Sequence, residues 1–468
     1  MISLNPFVNR LTVDLMSNPY FLDLISPNFI NKPKKERQKI YNYFPALTKT
    51  NITLKDIEYI SQDLQFLKFD FIFKEIIKIV LWIIENQDED GSWSLLTKRN
   101  LVDFRQDNPD EILAINDYFD KNPKKNNFTS NAWITSLTNL ILSKFLLLIS
   151  GEKLKYFLLD NDFSHIISLL DEIDQKKVQD KILSCRTWLN NNRNEKDGFS
   201  GWGPLPAAIY KESLNSYDTS FGYISAHYGK GLVGMHEATM PTELNALQPD
   251  SPFYDNATGA WRAEEGQPLD PGATSYAILS VLKFRKDNGQ YPVGFNFELI
   301  NKAIKWLIDQ QQNGGCWGRS SNGPPRVDRT CHCLMALLKY EKAEKKNAVP
   351  EAVYQGGINF LKSKIITIEN YINSNGIIFC WLNDGEKKGQ HPCFRNSSLA
   401  ISTLLRFFSP SAGEIQRGIS SLLRLYKHSH KRSSDRLTQP DELYFWCMLL
   451  NYTKALVNQD DLLKRLHM

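Results

Sequence analysis

The sequence predicts an all-α protein built as an array of paired helices, and three observations carry that expectation. Trp82-x4-Gln87-x3-Gly91-x-Trp93, in WIIENQDEDGSW, recurs with the same spacing as Trp306-x4-Gln311-x3-Gly315-x-Trp317, in WLIDQQQNGGCW. A helix start bearing a hydroxyl recurs at Thr129, Thr274, Thr330 and Ser397, with a leucine eight residues on in each copy, at Leu137, Leu282, Leu338 and Leu405. No segment sustains the period-two alternation of a half-buried strand. Repeats of about 50 residues with short Gly-containing connections describe an α-array, either closed on itself or open as a superhelix.

In chain order, residues 1 to about 70 read as an additional helical cap. Phe71 to Ile84 is an apolar helix leading into the first repeat turn. There a polar stretch ends the helix, Gly91 supplies a positive φ, and Trp93 folds back over the turn. The next helix carries Trp133 on the apolar stripe that Ile278, Leu334 and Ile401 continue in the other copies. A looser turn follows in WLNNNRNEKDGFSGWG, with Trp188, Arg193, Gly198 and Trp202. From about Gly198 to Pro271 the chain is rich in Gly, Pro, Ser, Asp and aromatics, a long irregular insertion of the functional or lid type. Asp218-Thr219-Ser220-Phe221 starts a helix within it. A degenerate turn runs from Gly357-Ile358-Asn359-Phe360-Leu361 to Gly376 and Trp381, and Pro440-Asp441-Glu442 opens the last helix.

At 468 residues, with 42% hydrophobic and 23% charged positions, the chain is long and apolar enough to bury a large core. The 56 basic and 52 acidic residues leave a formal charge of +4, too little to point to nucleic acid. Lys427-His428-Ser429-His430-Lys431-Arg432 is short and reads as a solvated turn, which leaves peripheral membrane contact open. The N-terminus lacks the cationic and apolar regions of a secretory signal, and no apolar run reaches the roughly 18 residues of a spanning helix. Seven cysteines at irregular spacing form no disulfide framework. A cytoplasmic protein without a transmembrane segment is the expectation.

The two Gln-Trp type turns and the helix starts at Thr274 and Thr330 resemble the α/α-toroid superfamily of squalene and hopene cyclases, class II diterpene cyclases and protein prenyltransferase β subunits. The resemblance covers roughly residues 75 to 450. It implies a single (α/α) toroid barrel of inner and outer helices, occupying 71–468, with inner-helix N-termini lining one mouth of a cavity. Class II cyclases carry Asp-x-Asp-Asp-Thr at such a helix start, the middle Asp donating a proton to an alkene or epoxide. Here Asp328 holds that position, flanked by Arg326 and Arg329 in place of the acids. Prenyltransferases hold zinc with Asp, Cys and His at positions matched here by Asp328, Thr330 and Asn396, so no metal or other cofactor is expected. Cys331 and Cys333 would point about 200° apart on a helix and cannot share an ion.

Two alternatives stand for Asp328: Brønsted acid, or helix cap paired with arginine. Two stand for Arg326, Arg329 and Arg395: anion binding at helix starts, or salt bridges to nearby acids. Trp133, Phe221, Tyr223, Trp261 and Tyr276 are candidate walls of a cation-stabilising cavity by motif position. His227 and His236 flank Gly229-Lys230-Gly231 without phosphate-loop spacing and read as loop residues. The leading function is protonation-initiated cyclisation of a prenyl chain, with a polyprenyl molecule as ligand. Its rival is a catalytically inactive toroid that binds a peptide or protein partner, or serves a larger assembly. A polysaccharide hydrolase or lyase is a third reading, should Asp218, Asp270 and Asp328 converge at the mouth.

Overall fold

The computed structural model describes residues 32–42, 69–105, 108–122, 128–161, 163–229, 245–320, 322–344, 348–369, 377–382, 392–429 and 441–466. Most of the expected cap over 1–70 lies outside these residues, as do Lys230, Gly231, His236, Gly376 and 430–432.

The helices that build the body follow one another as α1 (Phe69–Glu85), α2 (Ala132–Ile149), α3 (Gln175–Asn191), α4 (Ser216–Ala226), α5 (Pro271–Asn288), α6 (Phe297–Asp309), α7 (Val327–Ala343), α8 (Glu351–Ser363), α9 (Phe394–Leu404), α10 (Gly413–Ser429) and α11 (Glu442–Leu466). Six of them form an inner ring: α2 packs on α4, α4 on α5, α5 on α7, α7 on α9, α9 on α11, and α11 returns to α2. Trp133 Nε1 donates to the Tyr444 hydroxyl at 2.7 Å, and Lys144 Nζ to Asn451 Oδ1 at 2.6 Å, across that last junction. The array is closed, an all-α toroid. Helices α1, α3, α6, α8 and α10 sit outside the ring; among the described residues α3, α6, α8 and α10 are each the last helix before an inner one, whereas two short helices, Lys98–Phe104 and Pro109–Lys121, stand between α1 and α2. Ahead of α5 a short 3-10 turn, Asn245–Leu247, stands where the pattern calls for an outer helix.

Amphipathicity separates the two layers. Outer helix α6 buries Ile300, Ala303, Ile304, Trp306 and Leu307 along one stripe and leaves its lysines outside. Inner helix α2 is buried nearly all round, including Thr135, Ser136, Thr138, Asn139 and Ser143. These small polar side chains let inner helices approach closely while meeting neighbouring carbonyls: Asn139 Nδ2 donates to Ser225 O at 2.7 Å, Ser225 Oγ to Ser136 O at 2.7 Å, and Ser280 Oγ to Ser220 O at 2.9 Å. Among the described residues α2 is long and apolar enough to cross a membrane, and 78% of it is buried inside the protein.

The repeat turn acts as a clasp between layers. Trp93, Trp202, Trp261, Trp317 and Trp381 are each almost wholly buried. Their indoles donate to the ends of the preceding outer elements, at Ile83 O, Leu189 O, Leu247 O, Leu307 O and Leu361 O, within 2.7–2.9 Å. On the inner side the backbone N–H of Trp202, Trp261, Trp317 and Trp381 donates to Thr219, Thr274, Thr330 and Ser397. Those hydroxyls stand four residues past the cap and receive the turn; they do not cap the helix. Thr129 departs from this register: it lies in a two-residue strand before α2, whose cap is Asn131. Gly91 and Gly315 adopt φ of 94° and 76°, and a Cβ there would meet backbone at 2.4 and 2.3 Å, so backbone from the next outer helix fills the space. Gln87 and Gln311 each donate from Nε2 to that glycine's carbonyl and to the same neighbouring helix, at Lys181 O and Val353 O.

Among the described residues four short antiparallel ribbons accompany the helices, pairing Leu96–Thr97 with Phe128–Thr129, Asn194–Lys196 with Phe199–Gly201, Tyr254–Asp255 with Ala260–Trp261, and Ile366–Glu369 with Ile377–Cys380. They are local closures of the connections between helices.

Candidate functional site

The N-terminal ends of α4, α5, α7, α9 and α11 bring their first residues to one rim of the ring. Asp328, in the first turn of α7, is 2% exposed. Its carboxylate accepts from Arg326 Nε at 3.0 Å and Nη2 at 3.1 Å, from Arg329 Nη1 at 3.1 Å, and from the Arg329 backbone N–H at 2.7 Å. Arg395 Nη2 stands 3.9 Å from Asp328 Oδ2. Arg329 Nη2 donates onward to Asp270 Oδ2 at 2.9 Å, and Asp270 caps α5 through Gly272 N–H at 2.6 Å. Gly272 gives this bridge its passage, because a Cβ there would come within 2.6 Å of Arg329 Cδ.

Aromatic rings line the same rim. Tyr217 packs on Tyr276 with centroids 4.6 Å apart, and Tyr276 meets His332 edge-on at 4.6 Å, with its hydroxyl 3.3 Å from Nε2. Phe221 stands edge-on to Tyr276 at 5.7 Å. The Arg395 guanidinium lies 5.4 Å from the Tyr444 ring centre and 6.0 Å from that of Trp133, and its Nη2 reaches the Tyr217 hydroxyl at 3.5 Å.

Charge states follow from this packing. Burial would raise the Asp328 carboxyl, but Arg329, Arg326 and Arg395 overcome it and hold Asp328 far below the usual carboxylate range. Burial drives the His332 imidazolium down to about 3, with Arg329, Arg395 and Arg326 reinforcing the shift and Asp328 opposing it, so His332 is neutral. Burial also lifts the phenols of Tyr217, Tyr276 and Tyr444. Asp218 moves the other way from Asp328. Burial pushes its carboxyl up to about 6, against a hydrogen bond from Asn215 and the charges of Arg105 and Arg395. Asn215 caps α4 by accepting from Asp218 N–H at 2.6 Å, and its amide donates back to Asp218 Oδ2 at 2.8 Å.

A cleft of about 180 Å³ is lined by Arg105, Glu111, Tyr210, Ser213 and Glu264, and two of these, Arg105 and Glu264, act on the Asp218 carboxyl by charge. Arg105 pairs there with Glu111 and, at 2.7 Å, with Glu264, while Ser213 Oγ donates to Glu111 at 2.8 Å.

The rim thus gathers Asp328, Arg326, Arg329, Arg395, Trp133, Phe221 and Tyr276. Trp261 stands elsewhere: it is a clasp tryptophan with no exposed surface. Tyr223 is also fully buried, stacked on His227 at 4.1 Å and facing Phe284 towards the other end of α4 and α5. Neither ring can line the mouth. Cys333 is inert core, its thiol donating to Pro271 O at 3.7 Å and lying 3.4 Å from Ser275 Oγ. Sequence reasoning passed over Tyr217, Tyr444, Arg105, Glu111 and Glu264. Tyr217 had a signal in its place beside the Asn215-x-x-Asp218 box, whereas Arg105 and Glu111 lie outside every repeat.

No family model matches the sequence, and no curated protein is similar to it. Among solved structures the chain is similar to a selenomethionine derivative of a GH76 alpha-mannanase from Bacteroides thetaiotaomicron, at 12% identity and a TM-score of 0.49, over 83% of this chain and 97% of that one. It is also similar to a "possible member" of the GH105 family from Klebsiella pneumoniae, at 13% identity and a TM-score of 0.35, over 83% of this chain and 93% of that one. Neither is described as a cyclase, a prenyltransferase or a peptide-binding subunit. The cyclase expectation is corrected here. A Brønsted acid must hold its proton, and Asp328 is fixed as a carboxylate by three arginines. The rival expectation of an inactive binding toroid gains no support from the neighbours either.

Proposed function

We propose that the rim is the active site of a glycan-cleaving enzyme in which Asp218 carries the reactive proton. The supporting observation is a divergence between two buried carboxyls that share the field of one arginine. Arg395 acts on both, yet Asp218 is raised to about 6 and Asp328 stays ionised. Environments that push two acids apart in this way divide the roles of proton donor and fixed charge. Asp218 protonates the leaving glycosidic oxygen as the bond from C1 to that oxygen breaks, and a water adds to C1 and gives its proton back to the Asp218 carboxylate. The Asp328 carboxylate stays a fixed charge among its arginines, and Trp133, Tyr217, Tyr276 and Tyr444 offer flat faces against which a sugar ring packs.

The test is hydrolysis of a panel of neutral and acidic oligosaccharides, read by reducing-end release and mass spectrometry, for the parent and Asp218→Asn. Release by the parent with a loss of about 10²- to 10⁴-fold in the variant supports the proposal. A parent that cleaves nothing in the panel, or a variant as fast as the parent, overturns it.

A further inference from the structure

The opposite rim, where inner helices end, carries a second cleft that the proposed chemistry does not use. It encloses about 470 Å³ between the last turns of α5 and α7 and is lined by Leu282, Arg285, Lys286, Lys339, Lys342 and Glu344, among others. The spacing of the lysines places them together: Lys339 and Lys342 are three apart on one face of α7, and α5 is the neighbouring ring helix that brings Lys286 alongside. Arg406, just past the end of α9, adds its charge at Lys339. Two neighbouring inner helices thus send cations to one concavity, and a third adds its charge from outside the lining.

Two of the basic residues on this stretch of α5 are already held. Arg285 pairs with Glu344, which is 3% exposed, and Lys283 pairs with Asp287. Lys286, Lys339 and Lys342 make no ion pair among the described residues. The lining therefore sets four cations against one carboxylate. Lysines at helix ends ordinarily complement the backbone dipole, one or two to an end. Here burial and then Lys286, Lys283, Lys342 and Arg406 all press the Lys339 ammonium below its ordinary range. Arg285, anchored on Glu344 and lying over the Tyr291 ring at 4.8 Å, forms a fixed wall, and the fully buried Leu282 gives an apolar floor.

We propose that this cleft binds a small ligand bearing two or more phosphoryl or sulfuryl groups, held by Lys286, Lys339 and Lys342. The volume suits a compact molecule. Apart from the cations the lining has no aromatic platform on which nucleic-acid bases would stack.

The test titrates the full chain with sodium tripolyphosphate and, separately, sucrose octasulfate at low salt, by calorimetry and thermal shift. The parent is compared with Lys286→Gln/Lys339→Gln and with Lys176→Gln/Lys305→Gln, which removes the same charge from exposed positions elsewhere. Saturable one-site binding, weakened about tenfold or more in the cleft variant and unchanged in the control, is the expected result. Tripolyphosphate without octasulfate, or the reverse, identifies which anion the site takes. Equal binding by all three proteins, or no saturable binding by the parent, overturns the proposal. So does a single-stranded oligonucleotide that outcompetes tripolyphosphate at equal charge. Should the cleft variant fail to fold, acetylation of the parent with and without tripolyphosphate decides: protection of Lys286, Lys339 and Lys342 supports the site, and its absence overturns it.

Discussion

The two rims of the ring handle charge in opposite ways. At the rim of helix starts every arginine has a counterpart: Arg329 spans Asp328 and Asp270, Arg326 grips Asp328, and Arg395 lies among Asp328, Trp133, Tyr217 and Tyr444. At the rim of helix ends the lysines of α5 and α7 face one another with a single carboxylate in the lining. A compensated cluster is a fixed piece of structure, because removing one member strands the others in a buried place. An uncompensated cluster stores repulsion that an anion can relieve. The same ring therefore presents one rim whose charges hold geometry and another whose charges await a ligand.

The comparison can be broken by substitution. The largest effect is expected on activity: Asp218→Asn lowers turnover about 10²- to 10⁴-fold while the fold persists, since an amide still reaches Asn215. In the parent, turnover falls as pH rises through about 6, because the donor must be protonated. Asp218 also contributes to stability below its unfolded pKa of about 3.8, a contribution lost as pH rises through its folded value. Asp218→Asn should flatten that decline in a pH series of urea melts.

Next comes Asp328→Asn, which leaves three arginines without their shared carboxylate and should cost about 3–5 kcal/mol by chemical denaturation. Because Asp328 is depressed, its contribution is present above its unfolded pKa and lost only as pH falls through the folded value, well into strong acid. Gly272→Ala, which drives a Cβ against Arg329, should cost about 1–3 kcal/mol by the same measurement. The smallest change is expected at the other rim. Lys339→Gln should leave stability within about 0.5 kcal/mol, on the stabilising side at low salt, with the gain fading as salt screens the cluster. A loss at Lys339 as large as that at Asp328 would erase the distinction between the rims.

Much of the toroid was legible because its clasp repeats. Trp93 and Trp317 with their glutamines and glycines sit at matching spacing, and the structure shows each of those residues making the same bond. Thr129 misled because the clasp hydroxyl stands four residues after a cap, and α2 has its cap at Asn131, ahead of Thr135. Trp261 was drawn towards the cavity because its turn keeps the glycine, Gly259 at φ 79°, but has Asp255 where the other two copies carry the Gln, although its indole does the same work. The site was legible only in part. Asp328 and its arginines are neighbours in sequence, but the raised carboxyl of Asp218 comes from burial, with Glu264 adding to it and Arg105 opposing it, and neither of those partners is near Asp218 in sequence. No local spacing encodes that field.

The junction of α11 with α2 joins residues about 300 positions apart: Trp133 bonds Tyr444, and Tyr444 in turn packs against Arg395. The rim of helix starts therefore cannot be assembled one repeat at a time during synthesis. Its last wall arrives with α11, after all the other inner helices have been made, so the slow search that closes the ring also completes the site. A sugar bound at this rim would act as a latch on ring closure, and occupancy should slow the opening of the whole circle, including helices the ligand never touches.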